Sequence, residues 1–283
     1  MSAMTRRQFA QFAAALPLAA MSTPIPTPVY EQRLPLLRLP APAMPAGLGV
    51  GAPWQSGDDI PAMLEQLRPA WWYDWRFEQA GAPGYMPMIW SDGIWADHAP
   101  VIESLFERRP DLFWLLWNEP ERADQANMSP EATAALTGAI AEYGINYAAP
   151  GVAWGRVGME WLEAYLAAGG PMPHCWHIHI YWCHTPVEWE EKWASWKAWM
   201  QEHNVVRPTI VSETNAWEEG AYGQSRMIAY LADLLATDDL LLAVAWYATQ
   251  AYNWGAGHPQ LLSEARQLTS VGRTFAAVRA AAQ

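Results

Sequence analysis

Two glutamates stand where apolar runs end. Glu119 follows Leu112-Phe113-Trp114-Leu115-Leu116-Trp117-Asn118 and precedes Pro120, and Glu213 follows Thr209-Ile210-Val211-Ser212. A carboxylate at the end of a buried strand is costly unless it has a task or a partner. Two carboxyl groups about 5–5.5 Å apart suit retaining hydrolysis of a glycosidic bond, one as acid/base and one as nucleophile. The pair needs two different environments, because the acid must hold a proton while the nucleophile stays ionised. Asn118 can donate to a hydroxyl of the reacting sugar, and Tyr181 can donate to Glu213. Two plainer readings compete. Glu119 also suits the start of a helix, where the dipole favours an acid. Glu218 and Glu219 lie just past Glu213, but they run into Gly220 as solvated loop charge does.

Histidine and cysteine offer a second chemistry. His174, Cys175, His177, His179, Cys183 and His184 crowd one segment, and positions 177, 179 and 181 share one face of a strand. A metal would need three converging ligands with a supporting shell. The segment is instead read as donors, with His179 serving substrate or a catalytic carboxylate, and neither a metal nor another cofactor is expected. Cys175 and Cys183 sit eight residues apart, about 26 Å along an extended strand, too far to bridge.

Stepping outward from these residues, short apolar runs alternate with helical periods. Strands are predicted at 47–54, 70–76, 85–90, 111–118, 145–148, 176–182, 208–212 and 241–247. Helices are predicted at 58–68, 99–109, from Ser129-Pro130 onward, and at 158–168, 186–203, 222–236 and 260–282. Uniformly apolar strands are those buried on both faces, as in parallel sheets. Eight of them within about 235 residues fit a single-domain (β/α)8 TIM barrel, whose chemistry sits at the C-terminal ends of the strands. An open doubly wound sheet would carry a glycine fingerprint in its first turn, and Gly47, Gly49 and Gly51 do not form one.

Nineteen tryptophans, all after residue 53, are the compositional anomaly. Trp189, Trp193, Trp196 and Trp199 follow helical spacing and read as core, as do Trp114 and Trp161. Trp54, Trp75, Trp90, Trp95, Trp154, Trp182, Trp217, Trp246 and Trp254 fall at or after strand ends, where flat indoles can stack on sugar rings. Trp75, Trp90 and Trp182 are the substrate-binding candidates from position alone.

Residues 1–22 carry Arg6-Arg7 before a short apolar run and read as a twin-arginine-type export signal, which predicts a periplasmic or extracellular protein. That run is too short for a stable membrane span. A proline-rich linker follows at 23–46, and the catalytic domain is expected over 47–283. The net charge of −12 excludes a binder of nucleic-acid backbones. It suits a neutral polysaccharide or oligosaccharide as partner, and a monomer is expected.

Several motifs together resemble a known family. They are Trp72-Tyr73-Asp74-Trp75, Met86-Pro87-Met88-Ile89-Trp90, Leu116-Trp117-Asn118-Glu119-Pro120, Gln125-Ala126-Asn127-Met128-Ser129-Pro130-Glu131, His179-Ile180-Tyr181, Ser212-Glu213 and Ala245-Trp246-Tyr247. Asn-Glu-Pro resembles the clan of retaining (β/α)8 glycosidases, and the full set is most similar to the β-1,3-glucanases of glycoside hydrolase family 128. That resemblance implies endo-type cleavage of a β-glucan with retention, with Glu119 as acid/base and Glu213 as nucleophile. It also implies an aromatic platform at Trp246. The family usually has Tyr-Asn-Trp, Phe-Asn-Glu-Pro and Thr-Glu-Phe, where this chain has Tyr73-Asp74-Trp75, Trp117-Asn118-Glu119-Pro120 and Ser212-Glu213-Thr214. The alternatives are a non-catalytic carbohydrate-binding barrel, a glycosidase of the same clan acting on another β-linked polysaccharide, and a metal-dependent hydrolase using the histidine strand.

Overall fold

A computed structural model describes residues 46–53, 59–216, 220–249 and 260–282. The expected signal at 1–22 and nearly all of the linker lie outside these residues, as do Trp54, Trp217, Glu218, Glu219 and Trp254. Eight parallel strands form one sheet: β1 (Gly47–Gly51), β2 (Trp72–Tyr73), β3 (Met88–Ile89), β4 (Phe113–Leu116), β5 (Asn146–Ala153), β6 (Cys175–Cys183), β7 (Thr209–Ala216) and β8 (Leu241–Tyr247). Their order, β2-β1-β8-β7-β6-β5-β4-β3, runs nearly around a closed barrel. The seam between β2 and β3 is closed locally, by a parallel bridge from Trp72 to Tyr85 and by Trp72 N–H donating to the Gly84 carbonyl at 2.9 Å.

Seven helices occur among the described residues: α1 (Ile60–Leu67), α2 (Asp92–Arg108), α3 (Pro130–Ala141), α4 (Arg156–Ala167), α5 (Pro186–Glu202), α6 (Gly220–Thr237) and α7 (Ser270–Ala281). Side chains of Asp59, Ser91, Ser129, Thr185 and Thr269 accept N–H bonds at their starts, and Pro130 and Pro186 occupy the first turn, where a missing donor costs nothing. The structure thus gives the expected (β/α)8 barrel, with strands β1 to β3 shorter than expected and four further boundaries moved. Helix α2 begins at Asp92 rather than 99, because Ser91 caps it and Pro100 is carried inside. The expected closing helix shortens to α7, since Leu262 and Leu268 pair antiparallel before Thr269. Strand β5 runs on to Ala153, and β7 continues to Ala216, which puts Glu213 inside the strand.

Three apolar layers hold this frame. Trp71, Tyr73, Met88, Phe113, Leu115, Ala243 and Ala245 belong to the cluster that fills the barrel. Glycines on β1 make room for it: a Cβ on Gly49 would lie 2.5 Å from the Trp71 ring, and one on Gly51 would lie 2.8 Å from Trp75. Outside the sheet, Trp189, Trp193, Trp196 and Trp199 of α5 are buried as the helical spacing requires. Their indole N–H groups donate to Thr214, Asp238, Thr209 and Glu163, so no polar edge in the stripe is stranded.

Two glycine replacements test this packing. Gly49→Ala forces a methyl into the Trp71 ring and is expected to cost about 1–3 kcal/mol in chemical denaturation. Gly138→Ala, inside α3 with open space around it, is expected to gain about 0.5–1 kcal/mol. Equal effects at the two positions would contradict the packing.

Candidate active site

The C-terminal ends of the strands surround a cleft of about 800 Å³, lined in part by Trp75, Trp90, Asn118, Glu119, Trp182, Glu213 and Tyr247. Glu119 follows β4 and Glu213 comes from β7, and both are buried, at 5% and 6% exposure. One carboxylate oxygen from each, with a ring nitrogen of His179, lie within 4.8 Å of one another.

Glu119 is seated by backbone. Its N–H donates to the Gly151 carbonyl at 2.6 Å, and Gly151 N–H donates to Trp117 at 2.8 Å. A Cβ on Gly151 would lie 2.6 Å from the His177 ring and 2.7 Å from the Trp117 carbonyl, so only glycine permits this approach. Oε1 of Glu119 meets His179 Nδ1 at 2.9 Å, and Oε2 meets Arg122 Nε at 3.3 Å. Burial pushes this carboxyl up, but the hydrogen bond and charge of His179, with Arg122, hold it below its ordinary value.

Glu213 is held by neutral donors. Trp75 Nε1 donates to Oε1 at 2.7 Å and the Tyr181 hydroxyl donates to Oε2 at 2.5 Å. The Tyr73 hydroxyl lies 3.3 Å from Oε1, but its single hydrogen favours the Ser212 carbonyl at 2.8 Å. Burial and then the charge of Glu213 drive both tyrosines well above their ordinary value, so they remain donors. His179 Nε2 is 3.6 Å from Glu213 Oε1. Burial pushes His179 down, yet the charge of Glu213 and the bond to Glu119 outweigh it and raise it overall. His179 thus lies between the two carboxylates, and the three side chains are also spaced as ligands of one ion could be.

The structure brings together most of the expected site residues. Glu119, Glu213, Asn118, His179 and Tyr181 converge, and Trp75, Trp90 and Trp182 line the cleft. Trp75 is first of all a donor to Glu213. Asn118 donates from Nδ2 to Gln125 at 3.1 Å. Trp246 is a correction. It is 1% exposed in the outer core, and the next residue, Tyr247, faces the cleft. Side chains alternate along a strand, so the residue of β8 that faces the cleft is one step further on. Trp95 and Trp154 also fall away from the cleft, Trp95 against Phe106 and Trp154 against the outer core.

His177 stays apart from the carboxylates and meets Ser212 Oγ at 2.5 Å, with burial holding it well below its ordinary value. Cys175 and Cys183 are buried thiols outside any disulfide, pushed up to about 12 and about 11 by that burial. Sequence reasoning missed Arg122, Tyr73, Asp74 and Tyr247. Arg122 stands three residues after Glu119, and Tyr73 two before Trp75, so spacing alone could have found those two. Asp74 lines the cleft and accepts from Tyr85 at 2.5 Å, with burial raising its carboxyl above the ordinary value. Of the three departures from the family pattern, only Asp74 faces the cleft. Trp117 and Thr214 are hydrogen-bonded to Thr137 and Trp189 in the outer layer.

The family model described as glycosyl hydrolase catalytic core matches residues 51–275. Among solved structures, one similar to this chain is a GH128 (subgroup I) endo-beta-1,3-glucanase from Amycolatopsis mediterranei in complex with laminaritriose. It is 22% identical with a TM-score of 0.65, over 82% of this chain and 99% of that one. A GH128 (subgroup II) endo-beta-1,3-glucanase from Sorangium cellulosum is 22% identical, with a TM-score of 0.63, over 82% and 98%. A GH128 (subgroup III) curdlan-specific exo-beta-1,3-glucanase from Blastomyces gilchristii in complex with glucose is 21% identical, with a TM-score of 0.63, over 81% and 97%. These likenesses show a common fold. No curated protein matches the chain.

Because His179 is what holds Glu119 low against its burial, His179→Gln is expected to raise the Glu119 titration midpoint. Carbon-13 NMR of labelled glutamate reads that midpoint, and one that stayed or fell would refute the charge assignment.

Proposed function

Because the chain belongs to the glycosyl hydrolase catalytic core family, we propose that it cleaves β-1,3-linked glucan internally, by double displacement with retention. The observation that carries retention is that one carboxylate oxygen of Glu119 and one of Glu213 lie within 4.8 Å of each other. Retaining enzymes hold the two groups about 5–5.5 Å apart, whereas inverting ones need about 6.5–9.5 Å to admit water between them. The linkage is supported by the β-1,3-glucanases that share the fold.

In the first step Glu213 attacks the anomeric carbon while Glu119 protonates the departing glycosidic oxygen. Trp75 and Tyr181 hold the nucleophile's two oxygens in place with hydrogen bonds. Glu119 takes that proton from His179, whose Nδ1 lies 2.9 Å from its Oε1. Glu119 then takes a proton from water, which attacks the anomeric carbon and releases Glu213. The low resting state of Glu119 suits this second role as base. Trp90 and Tyr247, with the exposed indole of Trp182, offer faces for the flanking sugars. A polymer too large to enter a cell goes with the proposed export of this chain, and one cleft built within one chain goes with action as a monomer.

Glu213→Ala is expected to lower laminarin hydrolysis by about 10⁴-fold or more while laminari-oligosaccharides still bind. Proton NMR of the first wild-type products is expected to show the β-anomer, before mutarotation. First products with the α-anomer would overturn retention, and preferential cleavage of β-1,4-glucan in a linkage panel would overturn the substrate.

A further inference from the structure

Strand β6 does not enter the cleft straight. Ile180 pairs with Thr214 and Cys183 with Ala216, so three steps on β6 match two on β7. Such a register shift marks a bulge. Lys192 reaches this segment from the second turn of α5. Its Nζ donates to the Tyr181 carbonyl at 2.5 Å and to the Trp182 carbonyl at 2.9 Å.

Both of these β6 residues line the cleft. The Tyr181 hydroxyl meets Glu213 Oε2 at 2.5 Å. Trp182 has φ of 57° and an indole that is 67% exposed at the cleft wall. Few bulky residues adopt that backbone conformation unless their surroundings impose it. A charged donor to a carbonyl makes a stronger bond than a neutral one, and here one ammonium serves both carbonyls.

We infer that Lys192 is a positioning residue: its ammonium pins the β6 bulge, so that Tyr181 points at Glu213 and Trp182 stands over the cleft. The inference rests on the catalytic reading of Glu213. It separates two consequences, since Tyr181 acts on the nucleophile and Trp182 on sugar binding. Loss of Lys192 should therefore reach kcat through one residue and KM through the other.

The test combines Lys192→Met with Tyr181→Phe and with Trp182→Ala, assayed on laminari-oligosaccharides, alongside a crystal structure of Lys192→Met. The expected loss in kcat/KM is about 10- to 100-fold. Its kcat part should largely vanish in the Tyr181→Phe background and its KM part in the Trp182→Ala background. Lys192→Arg, which keeps a cationic donor, should recover part of each. Unchanged kcat and KM in folded Lys192→Met, or losses that simply multiply with those of the other two variants, would overturn the inference. Should Lys192→Met not fold, Lys192→Gln carries the same test. Should the wild type cleave no glucan, the functional reading fails separately. The crystal structure then decides, with a displaced 181–182 backbone supporting the role of Lys192 and an unmoved one overturning it.

Discussion

Two buried carboxylates that bring one oxygen each within 4.8 Å repel one another when both carry charge. At an effective dielectric of about 20, their repulsion is about 3–4 kcal/mol, a large share of the 5–15 kcal/mol that holds an ordinary domain folded. His179 resolves this by lying between them, buried and with its basicity raised by both. Much of the surrounding structure follows from keeping that ring in place. Gly151 lets the end of β5 come close enough to seat Glu119. Neutral donors on Glu213, rather than a second cation, leave the electrostatic balance to His179.

The strand ends that deliver these groups share a backbone device. Trp75 after β2, Trp117 and Glu119 after β4, and Trp182 in β6 all have positive φ, between 45° and 62°. For residues of this size each such conformation costs about 1–3 kcal/mol. The rigid barrel core below and local hydrogen bonds at each turn sustain it. Trp75, Glu119 and Trp182 thereby face the cleft, while Trp117 turns outward to Thr137.

The tryptophan excess shows how far a one-dimensional pattern reaches. The stripe on α5 was legible because helical spacing fixes a face, and that face is buried at all four positions. Strand ends were less legible. A strand reverses its facing at every residue, so the difference between a platform and a core residue is a single step. At β8 this step separates Trp246 from Tyr247. Trp95 was misplaced for another reason, since the start of α2 hangs on the cap at Ser91 while Pro100 suggests a later beginning.

By itself the sequence determined the barrel and singled out Glu119, Glu213, Asn118, His179 and Tyr181 as polar residues toward the C-terminal ends of apolar strands, because period, burial and residue chemistry are local properties. Only the tertiary structure decided how close the glutamates come, which one His179 bonds, and that Arg122 and Trp75 join them. It alone turned Asp74 into the cleft while Trp117 and Thr214 faced outward. The physical reason is that these depend on register and bulges between β5, β6 and β7. A shift of one residue there exchanges the two faces of a strand, and nothing in the order of residues along one strand specifies it.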